Sequence, residues 1–135
     1  MKKLILCLIA CLSIALMFTS CEKEESFDES LLIGEWKGIE RILDEDHEMH
    51  YKYMGNHTGL MWDKSADMTE EDGQAFNWTL DKSDLTQIHL FELSGGTNVT
   101  KVYTVTELTS TSLKYEERLP NSVVKYSYTK VNNIR

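Results

Sequence analysis

The amino-acid sequence predicts an all-β domain, an eight-stranded up-and-down antiparallel barrel, preceded by an N-terminal leader and a short tether. Beyond Leu31 the chain divides into short segments rich in Thr, Tyr, Val, Trp and Phe, broken by turn residues at intervals of roughly ten. Several segments alternate apolar and polar side chains with a period of two, which puts one face in a core and the other in water. The connections are too short for crossings between sheets, so each strand must lie beside its sequence neighbour. Eight such strands close most economically into a barrel, which also removes exposed edges.

The first element is the leader, residues 1–20. Lys2 and Lys3 precede Leu4–Phe18, an apolar run interrupted only by Ser13. As a helix this run would span roughly 22 Å, short of the roughly 30 Å hydrocarbon core of a bilayer, so it reads as a signal peptide. It has no amphipathic face with which to pack into a core. Phe18-Thr19-Ser20-Cys21 resembles the lipobox of bacterial lipoproteins. That resemblance implies cleavage after Ser20 and attachment of diacylglycerol to the Cys21 thiol as a thioether. Cys7 and Cys11 leave with the leader, so the mature chain keeps Cys21 alone and folds without an internal disulfide. The resemblance implies three acyl chains on Cys21, and two already anchor a protein stably. The expected location is the outer membrane, with the domain exposed on the cell surface or held in the periplasmic leaflet, and the membrane as partner through the lipid anchor.

Residues 21–30 form an acidic tether, which at roughly 3.3 Å per residue reaches about 30 Å. Within it Lys23-Glu24-Glu25 resembles the acidic export signal that sends some Gram-negative lipoproteins to the cell exterior. The domain proper is 31–135. A single helical turn over 28–33, capped by Asp28 or Ser30, leads into it. Strands are predicted near 35–43, 47–54, 58–64, 74–81, 84–93, 99–108, 112–119 and 123–131. Met49, Tyr51 and Tyr53 share one face, as do Phe76, Trp78 and Leu80, then Leu113, Tyr115 and Glu117, and then Val124, Tyr126 and Tyr128. The 84–93 segment alternates poorly and is expected to carry a bulge or to be covered on both sides. The longest gap, Ser65–Gly73, is polar and acidic and reads as a lid or a surface loop.

Gly34-Glu35-Trp36, at the start of the first strand, matches the Gly-x-Trp signature of lipocalins. Phe76-x-Trp78-x-Leu80, Tyr103-x-Val105-x-x-Leu108 leading into Leu113, and Tyr126-x-Tyr128 resemble the small lipocalin-like lipoproteins of Gram-negative bacteria, over residues 31–131. The resemblance implies that Gly34 and Trp36 close the barrel base under a cation from the end of the chain, Lys130 or Arg135. The chain lacks the Thr-Asp-Tyr motif of typical lipocalins and is much shorter, so the ligand does not come with the family. An eight-stranded barrel is just wide enough to be filled by its own side chains or to hold one small molecule. In the second case a small apolar or amphipathic ligand meets Tyr51, Tyr53, Phe76, Trp78, Tyr103 and Tyr126. In the first, a packed barrel serves as an interaction module for a protein or glycan, through an exposed Trp62 and the 65–73 loop. Buried hydroxyls need partners, so the tyrosines are expected at a polar mouth or wet cavity rather than in a dry centre.

Charge excludes one class of partner. Lys plus Arg number 14 against 22 Asp plus Glu, and without Lys2 and Lys3 the balance is 12 against 22, a net −10. Nucleic-acid binding rests on phosphate neutralisation, which this balance opposes. His47-Glu48-Met49-His50 hints at a metal, but residues three apart on a strand face opposite ways, and Glu48 with His50 supplies only two ligands. Glu116 and Glu117 are adjacent and make no acid–base pair, and no nucleophile elbow or phosphate loop occurs. Neither an enzyme nor a cofactor is expected. Asn56-His57-Thr58, Asn77-Trp78-Thr79 and Asn98-Val99-Thr100 match the N-glycan acceptor pattern by chance in a Thr-rich β protein.

Overall fold

The computed structural model describes residues 25–90 and 96–132. The leader, the lipobox with Cys21, and Arg135 lie outside the described residues. Eight strands follow one another: β1 (Gly34–Ile42), β2 (Glu45–Tyr53), β3 (Thr58–Asp63), β4 (Gln74–Asp81), β5 (Asp84–His89), β6 (Val99–Leu108), β7 (Ser112–Leu119) and β8 (Ser122–Lys130). Each pairs antiparallel with its neighbour in sequence, and β1 pairs with β8, closing an up-and-down barrel. The predicted fold class is the one observed.

Turn chemistry sets several of the connections. Leu43 and Asp44 join β1 to β2 with φ of 49° and 66°, the left-handed pair that matches the twist of a two-residue hairpin. Thr109 Oγ accepts the amides of Thr111 and Ser112 between β6 and β7. The gap between β3 and β4 is not featureless: it holds two short 3-10 turns, Lys64–Ala66 and Glu70–Asp72. Asp63 caps the first and Thr69 with Asp72 forms a capping box around the second.

The fifth strand ends at His89, earlier than its predicted bound, and residues 91–95 lie outside the described residues. Its poor alternation has a chemical cause rather than a bulge. Leu85, Gln87 and His89 all face inward and are buried, so two of its three core positions are polar. The register shift lies instead in β6, between Val105 and Glu107.

The barrel has two unlike ends. At the base the 3-10 turn Glu29–Leu31, capped by Asp28, brings Leu32 under Trp36, and both are fully buried. Trp36 Nε1 donates to the Leu32 carbonyl at 2.8 Å. Lys130 Nζ stands 5.0 Å from the centre of the Trp36 ring and donates to the Leu31 carbonyl at 3.0 Å. Gly34, at φ 129°, has the Lys130 side chain where a Cβ would stand, so a larger residue meets both a strained backbone and a clash. The Phe27 amide donates to the Lys82 carbonyl of the β4–β5 turn, so the tether enters at this end. The other end, the mouth, carries the β1–β2, β3–β4 and β7–β8 connections.

Two glycines let rings cross the lumen. Gly59 lies under the Phe76 ring and Gly38 under that of Tyr128. In each case a methyl group would collide with ring or backbone.

Candidate functional site

The lumen divides by height. Around its lower part Trp36, Tyr53, Phe76, Trp78, Leu85, Val105, Leu113 and Tyr115 are almost wholly buried. Tyr53 meets Phe76 and Trp78 edge to face, with ring centres 5.4 and 5.7 Å apart, and Tyr51 meets Phe76 at 6.2 Å. Five of the six expected ligand-facing residues, Tyr51, Tyr53, Phe76, Trp78 and Tyr103, therefore form part of the packed core. Tyr126 on β8 is half-buried, its ring 5.7 Å from that of Tyr103 in an edge-to-face contact.

The buried tyrosines correct the expectation of a wet cavity, because their hydroxyls are satisfied by inward polar side chains. Glu40 of β1 accepts from Tyr51 at 2.8 Å and from Tyr128, and Tyr128 in turn accepts from Tyr115 at 3.1 Å. Gln87 donates to the Tyr53 hydroxyl at 2.7 Å, and its carbonyl lies 2.9 Å from His89 Nε2. Among the described residues no buried side-chain polar atom lacks a partner. Charge-assisted bonds to a carboxylate are about twice as strong as neutral ones, so Glu40 fixes Tyr51 and Tyr128 firmly.

Above this network the inward positions carry charge. Lys101 of β6 reaches Glu117 of β7 at 3.3 Å, and Glu117 also accepts from Tyr126 at 3.3 Å. His47 and Asp63 face each other at 2.6 Å on the β2–β3 side. Burial raises the Tyr51, Tyr115 and Tyr128 hydroxyls well above the usual phenol range, with Glu40 or neighbouring tyrosines adding to it. Tyr53 and Tyr103 are raised by the same cause. Tyr126, nearer water, is pushed up to about 12 by burial and then by Glu117 and Glu40. Burial, and then Lys101, lowers His89. Towards the mouth the inward side chains are thus charged, with Lys101 and Glu117 on one side and His47 and Asp63 on another.

On the outside, Trp62 is not the exposed residue expected. It is only 5% exposed and stacks on His50, with ring centres 5.3 Å apart. His50 itself sits between Glu35 and Glu48, 2.8 Å from each. Glu48 and His50 do meet, but no group of three metal-ligating side chains forms among the described residues. Hollows of about 330 Å³ beside Asn77 and Thr86, and about 840 Å³ beside Leu60 and Gly73, also open away from the ring-packed centre.

The sequence places Glu117 on the face of Leu113 and Tyr115, but Glu40, Gln87 and Lys101 went unrecognised as inward residues. The period-two parity was the available signal: Glu40 lies four residues from Trp36, and Lys101 two from Tyr103. Polar type outweighed parity in the reading. Family models, curated proteins and solved structures compared with this chain give no match, so its likeness to lipocalins rests on the closed barrel and the residues at its base.

Proposed function

We propose that the chain is a membrane-tethered, lipocalin-like lipoprotein that takes a small amphipathic molecule in the mouth of its barrel. The observation that carries this reading is the asymmetry of the lumen. One end is plugged by Leu32, Trp36 and Lys130, while the inward positions towards the other carry the Lys101–Glu117 pair beside the half-buried Tyr126. Ring faces supply apolar contact and the Lys101–Glu117 pair supplies polar contact for a head group. The packed lower core restricts the ligand to the upper part, so it lies shallow. Phe27 meets the β4–β5 turn at the base, so an anchor on Cys21 would join the domain at the end opposite the mouth.

A fluorescent fatty acid, 11-(dansylamino)undecanoic acid, tests the binding. Titrated into the mature protein it is expected to blue-shift and to saturate at one site, and Tyr103→Ala with Tyr126→Ala is expected to weaken it at least tenfold. Equal binding by the double variant, or no response at all, overturns the ligand reading. Anchoring is tested separately: Cys21→Ser should abolish labelling by radioactive palmitate, and persistent label would refute it.

A further inference from the structure

The sequence holds six tyrosines, and all of them lie on the inward face of the barrel. Five form an unbroken run of ring contacts. Tyr126 lies 5.3 Å from Tyr115, Tyr115 lies 4.5 Å from Tyr103 and 5.3 Å from Tyr128, and Tyr128 lies 5.4 Å from Tyr51, ring centre to ring centre. Tyr126 is half-buried and the other four are buried, so the run begins near water and ends in the core. At the inner end Tyr128 and Tyr51 both donate to the same carboxylate oxygen of Glu40. No cation bonds Glu40 among the described residues, whereas Glu117, which accepts from Tyr126 at 3.3 Å, is paired with Lys101.

Packing alone does not ask for this chemistry. Phe at 51 and 128 with an apolar residue at 40 would fill a similar volume, and replacing both partners of a buried hydrogen bond in that way is often nearly neutral. What the three groups share is a proton. A phenol that loses an electron becomes a strong acid, so it gives the electron up readily only where a base takes the proton at once. Glu40 is such a base, within hydrogen-bond reach of two phenols. Burial holds both phenols well above their usual range, so they keep their protons until oxidation. Electron loss also removes charge from the site. A carboxylate beside a phenol becomes a neutral acid beside a neutral radical, which a poorly solvated interior favours. Trp36 and Trp78 lack this outlet, because their Nε1 groups donate to the carbonyls of Leu32 and Thr58, which are poor bases.

We propose that the barrel interior is a one-electron donor, which gives an electron to an oxidant outside the barrel through Tyr126 and Tyr115 and holds the resulting radical on Tyr128 or Tyr51 beside Glu40. The oxidant gains one electron, the phenol O–H bond breaks, and the proton passes to the Glu40 carboxylate. A neutral tyrosyl radical and a carboxylic acid are left. A one-electron reductant such as ascorbate restores the phenol, the proton returning to its oxygen from Glu40. Rings in contact let the electron move in short hops, and the buried radical is kept from meeting a second one.

The test uses the mature, lipidated protein in detergent, with photogenerated tris(bipyridine)ruthenium(III) as oxidant and electron paramagnetic resonance as readout. A neutral tyrosyl radical is expected, living at least tenfold longer than that of N-acetyltyrosinamide treated alike. Tyr126→Phe should slow its formation at least fivefold and leave its lifetime unchanged. Glu40→Gln keeps an acceptor but cannot take the proton, so it should shorten the lifetime at least tenfold. Where a lowered urea midpoint shows that Glu40→Gln has disturbed the fold, Tyr51→Phe with Tyr128→Phe decides instead, since it keeps the rings and should abolish the long-lived signal. A lifetime equal to that of the free amide, a signal from tryptophan alone, or a long-lived radical in the double Phe variant overturns the proposal. Tyrosine-coupled dimers in place of a long-lived radical put the oxidation at the surface and overturn it equally. No fatty acid is present in this measurement, so this proposal and the ligand reading fail independently.

Discussion

Tyr128 donates its hydroxyl to the carboxylate of Glu40, tying the last strand to the first at a height where the two share no register pair. Tyr51 donates to the same oxygen from β2. A single inward carboxylate thus joins three strands where the barrel closes.

Replacing Glu40 with Ala removes the acceptor of two buried hydroxyls. Unpartnered buried polar groups cost about 1–3 kcal/mol, so the variant should lose roughly 2–3 kcal/mol and unfold at lower urea. Glu40→Gln keeps an acceptor and should lose less. An unfolding midpoint for Glu40→Ala equal to that of the parent would show that Glu40 does not hold the seam.

The tyrosines predict an alkaline limit to stability. Tyr51, Tyr115 and Tyr128 keep their protons in the fold well above the ordinary phenol value of about 10, at which the unfolded chain releases them. Above pH 10 the unfolded state binds fewer protons, so stability falls as pH rises. It is fully present below that value. Absorbance at 295 nm should show early phenolate near pH 12 from Tyr126, with the buried group appearing only together with loss of the β circular-dichroism signal. Smooth ionisation of every tyrosine near pH 10, with the barrel intact, would contradict the packed network.

His89 sets a limit on the acid side. Burial and the nearby Lys101 hold its folded value below the ordinary imidazole value of about 6.5, so the unfolded chain takes up the proton first. The stability tied to neutral His89 is present above pH 6.5 and declines as pH falls below it. His89→Gln should flatten the loss of stability between pH 6.5 and 5.5, measured by urea midpoints. An unchanged slope would place the acid sensitivity elsewhere.

The base should depend on the charge of Lys130. Removing it with Lys130→Ala forfeits a cation–π contact of about 0.5–2 kcal/mol over Trp36 and leaves the Leu31 carbonyl without its side-chain donor. Lower thermal stability and a shifted Trp36 emission are expected, with Lys130→Arg close to the parent. If Lys130→Ala matches the parent in both, the cation contributes nothing to the plug.

The sequence by itself determined the number of strands, their order and their up-and-down pairing, because period-two alternation and short turns are local properties of the chain. It also pointed to Trp36 with Lys130 at the base, through the resemblance that Gly34-Glu35-Trp36 carries. Tertiary structure alone decided what the interior is. Whether Tyr53 or Tyr115 lines a cavity or a core depends on which side chains arrive from strands far along the chain. Glu40 and Tyr128, separated by 88 positions, meet only once the barrel has closed. The burial of Trp62 against His50 has the same origin. Contacts between strands act across the sheet, where composition and periodicity along the sequence carry no record of them.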